Sequence, residues 1–422
     1  MDDDETRRWF AGIDWGSERH QACLLDVAGQ VAGERAFAHG GAGLMALCDW
    51  LATVAGDPGT VAVAIEVPHG PVVDALLDRG FAVHAINPKQ LDRLCDRFSV
   101  VGAKDDRRDA RVAASGLRTD PHLFRRVTVG DPAIIELREW SRLAEELQSE
   151  RVRLANRVRQ QLWRYYPQLL ELADDVAAEW VLALWEMAPT PAEVARLCEA
   201  DVAELLRRHR VRRVDAATAL GTLRQPAITV AAGVTEAAVL HLRSLVSRLR
   251  LANEEFYRAE RRLDELCAAL TGSASAREDG GPGAATGAPT DAAVLRSLPG
   301  VGKVTLAALL TEAAGPIARR DHVALRTLSG VAPVTKRSGK TCVVTMRYAA
   351  QARLRQAVFH WARVAVLNDP TCRSRYEALR ARGHSYGRAL RGVADRLLGV
   401  ACALLRRRTL FDPDHGTAKA AA

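Results

Sequence analysis

The sequence predicts a mixed α/β unit over residues 8–125, a long-helix segment over 130–271, and a mostly helical module over 291–410. Three observations carry this prediction. Short apolar runs alternate with amphipathic stretches as far as Leu117. Two much longer stretches then place apolar residues at three- and four-residue steps. Beyond a stretch rich in Gly, Ala, Ser and Pro (272–290), the chain becomes strongly basic. Residues 411–422 read as a tail.

Taken in order, strands are expected at 9–14, 20–26 and 31–37, the last two joined by the turn Val27-Ala28-Gly29-Gln30. A helix over 42–52 carries Leu44, Leu47, Cys48 and Leu51 on one side. A fourth strand, 61–65, ends at Glu66, and a helix starts at Pro71, proline being suited to a first turn. A fifth strand covers 81–86, Asn87-Pro88 opens another helix, and a further helical stretch starts near Asp106. Three strands, helix, strand, helix, strand, helix is the order of a ribonuclease-H-like fold.

The long helices are predicted over 134–162 and 236–270. Leu137, Trp140, Ala144, Leu147, Leu154 and Val158 line the first, interrupted by Arg151. Leu242, Leu245, Leu249, Phe256, Leu263 and Leu266 line the second. Such stripes suit an antiparallel hairpin or a coiled coil between chains, and their length favours pairing between subunits. A flexible 272–290 segment would then let the last module swing between subunits.

Four acids stand out. Asp14 and Glu66 end apolar strands, and Asp106 and Asp109, three apart, share one helix face. Clustered carboxylates repel one another, and Mg²⁺ or Mn²⁺ would remove the repulsion while pairing with a phosphate substrate. The charge distribution also fits a nucleic-acid partner. Residues 331–410 hold seventeen Arg or Lys against three acids, a balance of +14, whereas the whole chain carries +8. Such segregation reads as a polyanion-binding module joined to an acidic remainder.

Eight cysteines occur singly without zinc spacing, as expected of inert thiols in a reducing compartment. The acidic start Met1-Asp2-Asp3-Asp4-Glu5 does not resemble a signal peptide, and no apolar run is long enough to cross a bilayer. A cytoplasmic protein with no membrane partner is expected.

Two motifs mark the last module. Leu298-Pro299-Gly300-Val301-Gly302-Lys303 resembles a helix-hairpin-helix turn, in which Gly300 and Gly302 would bring backbone N–H groups to a phosphate and Lys303 would add charge. The segment Lys336-Arg337-Ser338-Gly339-Lys340 places a serine in a loop among cations able to neutralise a phosphodiester.

In combination these motifs resemble the DEDD transposases of bacterial insertion sequences, the IS110 family. The matching residues are Gly12-Ile13-Asp14, Ile65-Glu66, Asn87-Pro88-Lys89, Lys104-Asp105-Asp106-Arg107-Arg108-Asp109-Ala110, the Pro-Gly turn, Ser329-Gly330-Val331-Ala332-Pro333 with Ser338-Gly339, and Arg353-Leu354-Arg355. The resemblance runs from about residue 10 to 410. It implies a RuvC-like N-terminal domain, a coiled-coil middle and a C-terminal transposase domain with a serine nucleophile. Asp14, Glu66, Asp106 and Asp109 would be the catalytic metal ligands and Ser338 the nucleophile. Arg353 and Arg355 would bind nucleic acid beside Lys336, Arg337 and Lys340. The implied partners are donor and target DNA, a bridge RNA, and further copies of the chain as a dimer assembling into a tetramer on DNA.

The chain departs from the family pattern in its 272–290 stretch and in Asp105, which competes with Asp106 as a ligand because 105 and 109 also share a helix face. Two other functions fit part of the pattern: a junction-resolving nuclease without a covalent intermediate, and a non-catalytic nucleic-acid-binding protein.

Overall fold

The computed structural model describes residues 7–98, 105–127, 130–272, 288–339 and 341–413. The chain divides into two compact units, Met1–Asp131 and Pro132–Ala422.

The first unit is a mixed α/β sheet with helices on both faces. Strands β1 (Trp9–Trp15), β2 (Arg19–Asp26) and β3 (Val31–Ala38) form an antiparallel meander. Helix α1 (Gly41–Ala55) leads to β4 (Val61–Ile65), which pairs parallel to β1. Helix α2 (Pro71–Asp78) leads to β5 (Ala82–Ala85), parallel to β4. Helices α3 (Pro88–Phe98) and α4 (Asp106–Thr119) follow, and β6 (Arg125–Arg126) closes the edge antiparallel to β5. The strand order is β3-β2-β1-β4-β5-β6. The sequence did not signal β6, because two residues carry no alternation.

Period-two alternation assigns each strand residue to a layer. Ala11, Ile13, Val63 and Ile65 pack with Leu47 and Leu51 of α1 and Val73 and Leu76 of α2. On the other face Ala62 and Ala64 meet Leu94, Val112 and Leu117, and Phe10 meets Ala110 and Ala114. Central β4, covered on both faces, is apolar throughout and wholly buried, as a central parallel strand requires.

The second unit is built on α5 (Pro132–Tyr165) and α11 (Val234–Gly272). They run antiparallel, as Arg262–Glu136, Arg151–Asn253 and Arg157–His241 contacts show. Between them lie α6 (Gln168–Glu171), α7 (Glu179–Met187), α8 (Pro191–Val194), α9 (Glu199–Arg208) and α10 (Ala216–Leu223). These helices cover one end of the pair, where Leu154, Val158, Leu242 and Leu249 join Val181 and Leu205 in one core.

The last module covers the other end. It comprises α12 (Asp291–Ser297), α13 (Lys303–Glu312), α14 (Ala314–Ala318), α15 (His322–Leu328), β7 (Val334–Ser338), β8 (Thr341–Thr345), α16 (Ala352–Asn368), α17 (Pro370–Ala381) and α18 (Tyr386–Arg407). Leu137, Leu263, Leu306, Trp361 and Leu398 share its core. Arg151, which interrupts the stripe, donates from Nε to Asn253 Oδ1 (2.6 Å) and stacks over Phe256 (4.5 Å) between the two cores. Asn253 in turn donates to the Ala177 carbonyl (3.0 Å), so this buried polar joint is satisfied.

Two expectations are corrected here. The apolar stripes of α5 and α11 cover each other within one chain, so they do not need a second subunit. Nor does the 272–290 stretch separate the last module from the long helices. Thr290 Oγ1 donates to the Leu270 carbonyl at 3.0 Å, so the two ends of the stretch meet, and the module shares a core with α5 and α11. Residues 273–287 lie outside the described residues. Among the described residues no helix is long and apolar enough to cross a membrane.

Candidate active site

Strand pairing decides where the first two acids fall. Ile13 of β1 lies beside Ile65 of β4 in parallel register. Asp14 and Glu66 therefore follow at the carboxyl ends of adjacent strands. Both belong to the even-numbered side, on which Phe10, Ala62 and Ala64 pack under α3 and α4.

Gly12 brings α4 to that face. A Cβ at this position would lie 1.9 Å from the Ala110 carbonyl oxygen and 2.6 Å from the Ala114 nitrogen. Helix backbone rests directly on strand backbone, which only glycine permits. Asp109 immediately precedes Ala110, and Asp106 lies one turn earlier, at the start of the helix. The helix N-terminus favours carboxylates there.

Asp105 has another task. Its backbone is extended, and its carboxylate accepts from Arg107 N at 3.1 Å, capping α4. Asp14, Glu66 and Asp109 are half-buried and Asp106 is exposed. Cys95 of α3, which sequence reading missed, donates its thiol to Asp109 Oδ1 at 3.5 Å. Burial, then the Asp109 charge, pushes this thiol up to about 11, so it stays protonated and a donor at neutral pH. Only its place on the apolar side of α3 could have hinted at it.

The four acids thus share one face of one sheet. Their side chains are not drawn into a ligating cluster: among the described residues no three His, Cys, Asp or Glu groups gather closely enough to hold an ion. As a donor set, oxygen-only carboxylates fit a hard divalent cation.

Ser338 lies not in a loop but at the last position of β7, opposite Thr341 of β8. Gly339, with φ +53°, starts the turn between them. The β-branched run Thr341–Thr345 and a glycine two residues before it were the available signals for this hairpin. Ser338, Lys336 and Arg337 are exposed, and Lys340 lies outside the described residues. Among the described residues no side chain hydrogen-bonds Ser338 Oγ.

Comparison with known proteins identifies the family. A family model of transposases matches residues 11–167. A second model, for the IS116/IS110/IS902 transposase family, matches residues 292–377. The "Mini-circle putative transposase for IS117" of Streptomyces coelicolor is 31% identical over 97% of this chain and 96% of its own length. The chain belongs to the IS110 family of transposases. The "Putative transposase y4uE" of Sinorhizobium fredii is 58% identical over 214 residues, 50% of this chain and 60% of that protein, so the match spans less than two thirds of that relative. An "uncharacterized 43.6 kDa protein" of insertion element IS110, also from Streptomyces coelicolor, is 27% identical over 98% and 97% of the two lengths. The first matched segment of this IS110-family chain contains all four acids, and the second contains Ser338.

Three residues expected at nucleic acid have structural tasks as well. Gly300 (φ +79°) lets the Pro-Gly turn rest on α16, since a Cβ there would lie 2.8 Å from Ala365 N. Trp361 Nε1 clamps the same turn by donating to the Pro299 carbonyl at 2.8 Å. Lys303 Nζ is held by Glu260 (2.8 Å) and Asp264 (2.7 Å) of α11. Burial opposes its charge, but the two acids prevail and raise its pKa. Arg353 pairs with Glu145 at 2.8 Å. Gly302 caps α13 with open space around it, and Arg355 is half-buried without an ion-pair partner among the described residues.

Proposed function

We propose that this chain is a transposase that moves its own insertion sequence, with a ribonuclease-H-like acidic site acting alongside a serine nucleophile. The observation that carries the reading is the placement of Asp14, Glu66 and the first turn of α4 on one sheet face. The strand order β3-β2-β1-β4-β5, with only β2 antiparallel to its neighbours, supports the ribonuclease-H-like assignment. Asp14, Glu66, Asp106 and Asp109 would hold Mg²⁺ or Mn²⁺, which when bound neutralises and polarises a scissile phosphate. Asp105 is better suited to its cap.

Ser338 attacks the phosphodiester. A bond from Oγ to phosphorus forms as the bond to the leaving strand oxygen breaks; the serine proton is lost to solvent and the leaving oxygen gains one. A strand hydroxyl then reverses the exchange and frees the serine, so phosphodiester energy is conserved without ATP. Lys336 and Arg337 stand two and one residues from the nucleophile, where they offset phosphate charge. Donor and target DNA, a bridge RNA that reads them, and a dimer assembling to a tetramer complete the reading.

Ser338→Ala should lower strand exchange by roughly 10³-fold or more while leaving nucleic-acid binding intact. The wild-type protein should be trapped on DNA under denaturing conditions. Cleaved DNA with no adduct, and unchanged cleavage by Ser338→Ala, would support a water-using junction nuclease instead.

A further inference from the structure

We propose that a pocket at the foot of the β7–β8 hairpin holds one nucleotide drawn out of a single strand. The proposal rests on the nucleic-acid role argued above, but nothing in that role requires this pocket. The cavity measures about 300 Å³ and lies between the hairpin, α16 and α18. Arg355 and Gln356 of α16, Arg391 of α18, and the apolar side chains of Val331, Met346 and Phe359 line it. Gly330 (φ +72°) shapes its wall, since a Cβ there would lie 2.9 Å from Ala350 Cβ.

Charge identifies the first part of the ligand. Arg355 and Arg391 are both half-buried, and among the described residues neither has an ion-pair partner. Their neighbours do: Arg326 pairs with Asp395, and Arg353 with Glu145. Both arginines line the one cavity, and a phosphate there would accept charge-assisted hydrogen bonds from them.

The wall identifies the second part. A free phosphate would leave Val331, Met346 and Phe359 uncovered, whereas a base stacks on such surfaces whatever its identity. Gln356 offers both a donor and an acceptor to a base edge. A duplex is too broad for a cavity of this volume, so the nucleotide must leave its stack, at a cost of a few kcal/mol that new contacts offset.

The surroundings provide a path for the strand. Phe359 and Gln356 also line a larger groove of about 670 Å³. Val331, Met346 and Arg391 also line a third cavity, of about 320 Å³. A strand lying through the three would pass the foot of the hairpin that carries Ser338.

The test uses the full chain, a fluorescent single-stranded pentadeoxythymidine, and an oligonucleotide carrying 5-iododeoxyuridine for photocrosslinking. Crosslinks should map to Phe359 or Met346. Arg391→Gln and Phe359→Leu should each weaken pentamer binding about tenfold, and Phe359→Tyr should restore it. Thymidine monophosphate should compete better than inorganic phosphate. Crosslinks confined to other sites, with both variants binding normally, would overturn the pocket and leave the transposase reading standing. Equal competition by phosphate would overturn the nucleotide in favour of an anion site. Failure of the wild-type chain to bind any nucleic acid would overturn both readings.

Discussion

At Gly12 helix α4 touches the backbone of β1, whereas the strands of the hairpin that carries Ser338 leave every residue exposed except their outermost pair, Val334 and Thr345. The acids are therefore placed by the core of their own unit, with Ala110 and Ala114 wholly buried beneath them. The serine is placed by two short strands of a kind that are marginal alone in water. Val343 and Val344 are 47% and 61% exposed, and Tyr348 just beyond β8 is 77% exposed, an apolar surface that folding of this chain leaves uncovered. An acidic site needs several oxygens in fixed relation, which rigid packing supplies. A serine acting as the proposed nucleophile would have to reach a bound phosphodiester and later release it, and could take its final position from the substrate.

Two glycines distinguish the two supports most directly. Gly12→Val should destabilise the first unit by roughly 3 kcal/mol or more, because α4 would have to leave the strand. Strand exchange and the melting temperature should fall together. Gly339→Val forces a β-branched residue to φ +53°, a strain of about 1–2 kcal/mol confined to the turn. Strand exchange should fall while thermal melting of the chain stays unchanged. Equal losses of melting temperature in the two variants would show that the hairpin is as integrated as the sheet.

The same contrast explains what could be read from sequence. The strands and helices of the first unit were legible because burial on one or both faces imposes period two or an unbroken apolar run; β4 is the clearest case. The positions of Asp14 and Glu66 at strand ends followed from those runs. The serine hairpin was hidden because its residues are exposed, so no burial pattern marks it, and only β-branching and Gly339 pointed to it. Pairing choices were hidden for another reason. The α5 and α11 stripes show that each helix needs a partner, but not that the partner is the other helix of the same chain. Likewise, sequence showed that Lys303 and Arg353 are cationic but not that Glu260, Asp264 and Glu145 already answer them.

Paired and unpaired cations should differ by a smaller effect. Lys336→Ala and Arg337→Ala, on the exposed hairpin, should each lower the salt dependence of DNA binding by about one unit of log–log slope without changing stability. Lys303→Ala should do the reverse, leaving the slope unchanged and weakening the attachment of α13 to α11. Binding measured between 50 and 200 mM salt, with parallel melting curves, separates the two classes. A salt slope lowered by Lys303→Ala would return that residue to the nucleic-acid surface.

The smallest expected effects concern the thiols. Burial pushes Cys95 and Cys267 up to about 11 and Cys23 and Cys372 up to about 12, from an ordinary value of 9.0. Each folded-state pKa is raised, so the native chain keeps protons that the unfolded chain loses above pH 9. The stability these thiols contribute is complete below pH 9 and is lost as pH rises towards 11 and 12. Denaturant midpoints should therefore fall between pH 9 and 11. At pH 8 an alkylating reagent should label exposed Cys198 and Cys342 quickly and leave buried Cys23 protected. In Gly12→Val, loss of α4 should expose Cys23, which packs against Ala110 and Ala114. In Gly339→Val, Cys23 should stay protected while Cys342, on the other strand of the hairpin, remains reactive. Rapid labelling of Cys23 in both variants would mean that strain in the hairpin reaches the sheet, and the acids and the serine could then no longer be treated as separately supported.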